Sequence, residues 1–593
     1  MWIAGLLLLV VWAAAVWIGF VAFPFVFAAL LLATTVAAAC FHFYRAGRIL
    51  LPGRAAGPSP VEPPRAGRGG DSGGDPAYRQ YLLVQVWRDW RAVAGDTVPA
   101  IAGTASGVLS RATTAMMRGS QGLFLFPLWL AFCGGIVAAA VPLAAVAALV
   151  SAAHALTVAA GLLGWLVCAG ALRGVERVFM MTRRILQACP HPGCYARFTL
   201  PEYACPGCGE RHRRLTPDLN GAVWHVCRCG VRLPTTVPLG RFRLQAHCPS
   251  CHRALPARIG RARVEPLPFV GGPDAGKTTF MALAVDALHG AVTGAGGRAV
   301  FTDRSDEVAF GRLRRELRRG RVSKTGTELP RAVTLDIAVP APGQPLKRPL
   351  ARQGGNRILY LFDPSGEHYT GAGTVEAMGY LGHGEAMIVI IDPFALPSVQ
   401  DHLLPSERED LAAAGMALSR EDPADTFSRV LNELASRPDG GGQRRLAIVI
   451  TKADLLRDTA VGRDAEDDPA GWLTRVGMGN LVREVGRRAG EVRYFASGLP
   501  ADPDRLARLL GWLAGLRLNG HRRRAESELT AGDLRAPWSA GQDRAGLIPA
   551  GYRVARWAIF TSTVLLSAGA IAVLAVVAVR MLTGDGTAAL PLL

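Results

Sequence analysis

Residues 271–279 read GGPDAGKTT, and Gly271 to Thr278 match G-x4-G-K-[ST] without a gap. In such a loop, glycines let backbone N–H groups wrap a phosphate at a helix N-terminus. The lysine ammonium reaches the β- and γ-oxygens, and the hydroxyl ligates Mg²⁺. This assigns Gly271, Gly272, Asp274, Ala275, Gly276, Lys277, Thr278 and Thr279 to a nucleoside triphosphate, with Lys277 also acting in catalysis. Residues 358–366, ILYLFDPSG, are an apolar strand running into D-x-x-G. There Asp363 can hold the Mg²⁺ through water, and the Gly366 N–H can meet the γ-phosphate. Residues 446–456, LAIVITKADLL, are a buried strand running into T-K-x-D. With Thr451 and Lys452 beside it, Asp454 can accept two hydrogen bonds from the guanine N1–H and 2-amino group. Adenine offers no such pair of donors, so the motif selects GTP over ATP. VRYFAS (492–497) is a further strand, and a backbone N–H at Ala496 or Ser497 can contact guanine O6.

Lysine usage sharpens this reading. Only Lys277, Lys324, Lys347 and Lys452 are lysines among 66 basic residues, and two of the four sit where an arginine fork does not replace an ammonium. Two nearby features compete for roles. Asp392 in AMIVIIDP also ends a buried strand, and ranks second to Asp363 as the metal aspartate because DPSG brings the glycine. Six arginines in RLRRELRRGR (312–321) include a candidate arginine finger, although a charge run is more often a solvated face.

A second chemistry lies upstream. Eight of the 11 cysteines fall in close pairs, written C-x4-C-x10-C-x2-C and then C-x-C-x18-C-x2-C. Short-spaced pairs in Gly- and Pro-rich turns converge on a tetrahedral ion, and all-sulfur ligation points to structural zinc. The grouping taken in sequence order is Cys189, Cys194, Cys205 and Cys208 on one Zn²⁺, with Cys227, Cys229, Cys248 and Cys251 on the other. Thiolates then fill both sites, which leaves His212, His225, His247 and His252 as surface or packing residues. A chain of 593 residues does not need disulfide stapling, which excludes a secreted disulfide scaffold.

The elements that must position these residues follow from patterning. From Val264 to about Leu518, short Val/Ile/Leu runs alternate with helical patterns, as in a three-layer, Rossmann-like α/β P-loop NTPase with a mostly parallel sheet. Pro266 and Pro268 predict that the strand before the phosphate loop is short or irregular, beginning at Leu267. The cysteines form a small zinc-ribbon module over 185–258. Half the chain is hydrophobic and 19% is charged, so it is neither disordered nor one soluble domain.

Three stretches read as α-helical transmembrane segments: 1–41, 119–172 and 557–579. The middle one is long enough for a hairpin turning near Ser151 and His154. The first is taken as two short helices turning near Gly19 to Pro24, giving five spans; a kink in one long helix is the alternative and gives four. Residues 42–118 are a cytoplasmic linker followed by an amphipathic helix from 78, lying on the membrane surface or against the hairpin. Residues 519–553 are a polar tether. Arg45, Arg48 and Arg54 follow the first stretch and Arg173, Arg177, Arg183 and Arg184 follow the second, placing both flanks and everything to Arg556 in the cytoplasm.

GGPDAGKTT, DPSG and TKAD in this order resemble the G1, G3 and G4 motifs of TRAFAC-class GTPases. Their combination with cysteine ribbons and membrane spans resembles the bacterial double-GTPase domain family of the second type, associated with predicted conflict or defence systems. The resemblance implies a membrane-anchored, multi-pass bacterial GTP-binding switch with GTP, Mg²⁺ and two structural Zn²⁺ as cofactors. It also implies a protein partner docked through the ribbons or the switch regions; one GTPase unit is visible in this sequence, so any second GTPase would have to be another chain. Membrane lipid is a partner and nucleic acid is not expected, despite arginines around the ribbons. Two departures stand out. Glu367 occupies the place where many relatives carry a water-orienting glutamine, which keeps a catalytically weak scaffold as the alternative. The switch threonine is Thr325 or Thr327.

Overall fold

The computed structural model describes residues 2–50, 75–119, 121–183, 185, 187–256, 258–319, 332–340, 355–365, 379–382, 384–413, 421–436, 444–518, 529–530 and 547–583. The chain divides into two compact units. One comprises Met1–Gly174, Thr216–Thr235 and Ala540–Leu593, and the other Val175–Leu215 and Thr236–Ser539.

The first unit is helical. Helix α1 runs from Trp2 to Leu50, α2 from Gln85 to Met116, α3 from Gln121 to Ala138, α4 from Ala140 to Thr182, and α14 from Leu547 to Thr583. Three stretches are long and apolar enough to cross a membrane: Gly5–Leu50, Gly122–Thr182 and Val554–Val577. The turns expected near Gly19–Pro24 and near Ser151 are absent. α1 continues through Pro24, and the only break between Gln121 and Thr182 is at Ala139. The Ala139 N–H still donates to the Gly135 carbonyl at 3.1 Å, and Ala139 O accepts from Leu143 N at 3.1 Å, so even this break keeps helical bonding. A turn in an apolar setting would leave backbone polar groups unpaired. The Ser151 hydroxyl, a possible turn former, donates instead to Ala147 O at 2.7 Å within the helix. α14 starts ten residues before the expected span, within the segment read as a tether.

Side-chain contacts fix the directions of these helices. Trp12 Nε1 donates to Leu123 O at 3.3 Å, and a Cβ on Gly135 would lie 2.9 Å from Phe27 O, so α1 and α3 run parallel in close backbone contact. Arg45 pairs with Asp96 at 2.9 Å near the end of α1, while Trp129 Nε1 on α3 lies 3.1 Å from Thr113 Oγ1. α2 therefore runs back antiparallel to α1. Its first turns bury Asp89, which accepts from Tyr81 at 2.8 Å, Gln85 at 2.8 Å and Arg556 of α14 at 2.5 Å. A buried ion pair needs such additional hydrogen bonds to offset desolvation. A hairpin of β3 (Trp224–Val226) and β4 (Arg232–Pro234) completes this unit.

The second unit begins with a small antiparallel sheet ordered β2-β1-β5, formed by β1 (Glu202–Ala204), β2 (Arg211–His212) and β5 (Ala246–His247). Its main feature is a seven-stranded sheet ordered β12-β11-β10-β6-β9-β8-β7. The strands are β6 (Arg263–Val270), β7 (Arg298–Phe301), β8 (Val333–Val339), β9 (Gly355–Phe362), β10 (Ala386–Ile391), β11 (Arg445–Ile450) and β12 (Glu491–Ala496). β12, β11, β10, β6 and β9 are parallel; β8 and β7 are antiparallel additions. Helix α5 (Lys277–Gly294) and helix α13 (Pro503–Leu513) contribute Phe280, Leu288, Leu506 and Leu510 to the core beside Phe269, Ile388 and Val449. Parallel strands covered in this way read as continuous apolar runs, as they do in AMIVII and RLAIVI.

β6 is longer than its prolines predict. It pairs with β9 over Arg263 to Pro268 but with β10 only at Phe269 and Val270. Pro266 and Pro268 thus lie where the strand is laddered on one side, and their missing N–H groups break no second ladder.

Candidate nucleotide and metal sites

The phosphate loop links β6 to α5. Asp274 and Gly276 adopt positive φ of 54° and 81°, the left-handed turn that lets the loop curl over the helix N-terminus. Gly271 is required by space: a Cβ there would lie 2.7 Å from Ile390 O. No side chain caps α5, so its N-terminus carries its positive partial charge into the loop. Lys277 is buried and donates to Gly271 O at 3.0 Å and Gly272 O at 2.7 Å. Burial lowers its pKa to about 8, against the opposing pull of Asp363 and Asp274. Thr279 follows on the first turn of α5.

Asp363 follows directly on β9 and meets the loop. Thr278 Oγ1 donates to Asp363 Oδ2 at 2.6 Å, while Oδ1 is buried without a hydrogen-bond partner among the described residues. Burial pushes this carboxyl up, opposed by Thr278 and Lys277. A carboxylate with one oxygen on the loop threonine and the other unsatisfied fits a divalent cation, which would supply the missing charge. Asp392 is built differently. Its Oδ1 accepts from Phe394 N at 3.1 Å and its Oδ2 from Lys452 Nζ at 2.7 Å, so both oxygens are engaged. The residue considered second for metal is thus the partner of the T-K-x-D lysine, a role no spacing in the sequence signals.

The base-reading segment adjoins the loop. Thr451 Oγ1 donates to Ala275 O at 2.8 Å, tying the end of β11 to the phosphate loop. Lys452 has φ of 55° and leads into helix α10 (Ala453–Arg457), on which Asp454 lies partly exposed. Ala496 ends β12, and the Ser497 N–H donates to Ile450 O at 2.8 Å, so that donor is engaged within the sheet. Gly498 was missed by sequence reasoning: a Cβ there would meet Asp454 N at 2.5 Å and Oδ1 at 2.8 Å. Gly366, Glu367, Thr325 and Thr327 lie outside the described residues. Of the arginine run, Arg314 pairs with Asp286 of α5 at 2.8 Å, on helix α6 (Arg304–Arg318).

The cysteines assemble across the module and correct the grouping by sequence order. Cys189, Cys194, Cys248 and Cys251 form one group within the second unit, which leaves Cys205, Cys208, Cys227 and Cys229 as the remaining four of the eight. In the first, Cys189 and Cys251 sulfurs lie 3.7 Å apart and Cys194 and Cys248 sulfurs 3.8 Å apart. Four sulfurs at about 2.3 Å from a tetrahedral zinc would sit about 3.8 Å from one another, so this donor set fits the ion. The reason for the interleaving is a long-range pairing: β5 pairs with β1, and Cys248, which directly follows β5, lies beside Cys194 of the first knuckle. None of the four histidines joins either all-cysteine group. His225 is fully buried, 2.9 Å from Asp218, and His252 lies 3.1 Å from Glu202.

A mostly parallel sheet whose strand ends carry a phosphate loop, an aspartate bonded to the loop threonine and T-K-x-D defines a P-loop NTPase, here in a chain with a cysteine metal module and apolar membrane-length helices. Residues 265–513 match the family model described as Double-GTPase 2, and this stretch is a domain of that family. No curated protein matches the chain.

Proposed function

We propose that the protein is a membrane-anchored GTP-binding switch that hydrolyses GTP with Mg²⁺, with the cysteine ribbons docking a protein partner, in a bacterial conflict or defence setting. The observation that carries this is the bond from Thr451 to Ala275, which makes the T-K-x-D segment and the phosphate loop walls of one site. Lys277 would exchange two loop carbonyls for phosphate oxygens, and Asp454 would read guanine. Thr278 and Asp363 would hold Mg²⁺, which neutralises charge developing on the transferred phosphoryl group. Glu367 supports a second reading, a weakly hydrolysing nucleotide-binding scaffold, because a carboxylate there replaces a water-orienting amide.

For the membrane, arginines following both α1 and α4 favour the cytoplasm for residues 173–556. Because α3 and α4 form no hairpin, the antiparallel α2 is read as carrying the chain back across between α1 and α3.

The test uses the full chain in detergent: affinity for GTP against ATP, and turnover with Mg²⁺. GTP should bind preferentially. Asp454→Asn should replace an acceptor by a donor facing the guanine donors, weakening GTP by about 2–4 kcal/mol, or roughly 30- to 1000-fold, while favouring xanthine nucleotide. Equal binding of ATP and GTP by the wild type would end the base-reading assignment.

A further inference from the structure

The cysteine group of Cys189, Cys194, Cys248 and Cys251 packs against the nucleotide site from behind. Tyr195 follows the ligand Cys194 and has φ of 46°, a left-handed conformation imposed by the knuckle. Its ring meets Phe362 edge-on at 5.6 Å and Tyr380 edge-on at 5.0 Å, and those two rings stack on each other at 4.1 Å. All three residues are at most 3% exposed. Phe362 is the residue immediately before Asp363, whose carboxylate bonds Thr278 of the phosphate loop. Tyr380 belongs to the short turn Gly379–Gly382. The same turn is held from the knuckle side by Arg197, which donates to Gly382 O at 2.7 Å.

From this packing we infer that Tyr195 is a positioning residue for Asp363, and that metal held by the Cys189 knuckle and nucleotide held by the phosphate loop modulate each other's affinity. The physical reason is the rigidity of a close-packed aromatic cluster. With Phe362, which directly precedes Asp363, packed with Tyr380 on Tyr195, a shift of Asp363 toward or away from the loop moves the face on which the knuckle rests. Coupling between two sites is reciprocal in binding free energy, so it is legible from either end. The inference rests on the reading that the loop binds GTP, and the experiment separates the two.

Full-length protein in detergent is loaded with zinc, and zinc affinity is measured by competition with a chromogenic chelator in three states: no nucleotide, GDP, and a non-hydrolysable GTP analogue. Nucleotide binding is measured on the same samples. The Cys189 centre is identified as the one lost in Cys251→Ser; the other cysteine group serves as internal reference. The expected result is an affinity change at the Cys189 centre of about fivefold or more between the GDP and GTP-analogue states. The reference centre should not change. Tyr195→Phe should keep this shift, because the ring remains. Tyr195→Leu should abolish it with both zinc ions still bound. If Tyr195→Leu loses zinc outright, Phe362→Leu interrupts the same contact from the other side. Nucleotide binding with identical zinc affinities in all states, or a shift that survives loss of the ring contact, would overturn the coupling alone. Failure to bind any guanine nucleotide would overturn the GTP reading and the coupling together.

Discussion

The Lys452 ammonium lies 2.7 Å from the Asp392 carboxylate, which is 2% exposed. The pair joins the ends of two adjacent parallel strands, β10 and β11. It holds the lysine stem in place although the residue occupies a left-handed conformation, so the base-reading loop is set before nucleotide arrives. Removing the carboxylate leaves the ammonium to find solvent. Asp392→Asn should lower stability by about 2 kcal/mol and weaken GDP and GTP alike, by about tenfold. The GTP-to-GDP ratio should stay constant, because Lys452 is assigned to the base and not the phosphates. A changed ratio in equilibrium titrations would instead place Asp392 with the metal.

How much of this was legible beforehand differs by element. The phosphate loop, Asp363 and T-K-x-D fall where their strands predict, because each motif is local and strand-to-helix turns bring successive motifs to one edge of a parallel sheet. The cysteine grouping was not legible. Spacing identifies each knuckle, but which knuckles share an ion depends on β1 pairing with β5, a contact between residues 203 and 246 that leaves no local signal. The Asp392–Lys452 pair and the Tyr195 cluster were hidden for the same reason. In the helical unit, composition gave the apolar stretches correctly and turn chemistry misled. Pro24 and Ser151 suggested turns that an apolar setting disfavours, since helical hydrogen bonding satisfies the backbone at both places.

That continuity changes the expected membrane topology. If α1, α2 and the α3–α4 helix each cross, residues near Gly119 emerge on the side opposite Arg45 and Arg173, whereas a hairpin would keep them on the same side. A periplasm-active reporter inserted after Gly119 should be active, as should one after Leu593, and a reporter between Arg173 and Arg556 should be silent. Cytoplasmic activity at Gly119 would restore α2 to the membrane surface.

The interleaved cysteine groups have a stoichiometric consequence. Wild-type protein should hold two zinc ions per chain. Cys189→Ser with Cys248→Ser damages a single group and should leave one ion, whereas grouping in sequence order would leave none. Cys189→Ser with Cys205→Ser reverses the expectation: none here, one under sequence order. Metal analysis of the two double variants distinguishes the schemes without any functional assay.

Lys277 gives the nucleotide site a pH dependence whose sign is fixed. Burial lowers its pKa from the ordinary 10.5 to about 8 in the free protein. Bound phosphate would favour the ammonium and raise that value again. Below about pH 8 the free and bound forms are both protonated, and affinity should be flat. Above it the free protein loses a proton that binding must restore, so affinity should fall by about tenfold per pH unit. Stability of the free protein moves oppositely. Between about 8 and 10.5 the unfolded chain carries the extra proton, so this residue's contribution to stability rises with pH. Guanine-nucleotide affinity and thermal unfolding measured in parallel from about pH 7 to 9 should therefore diverge above 8. Lys277→Ala should remove both pH dependences while leaving the preference among bases unchanged. Should the wild-type affinity stay level across this range, Lys277 does not meet the phosphates as a buried ammonium.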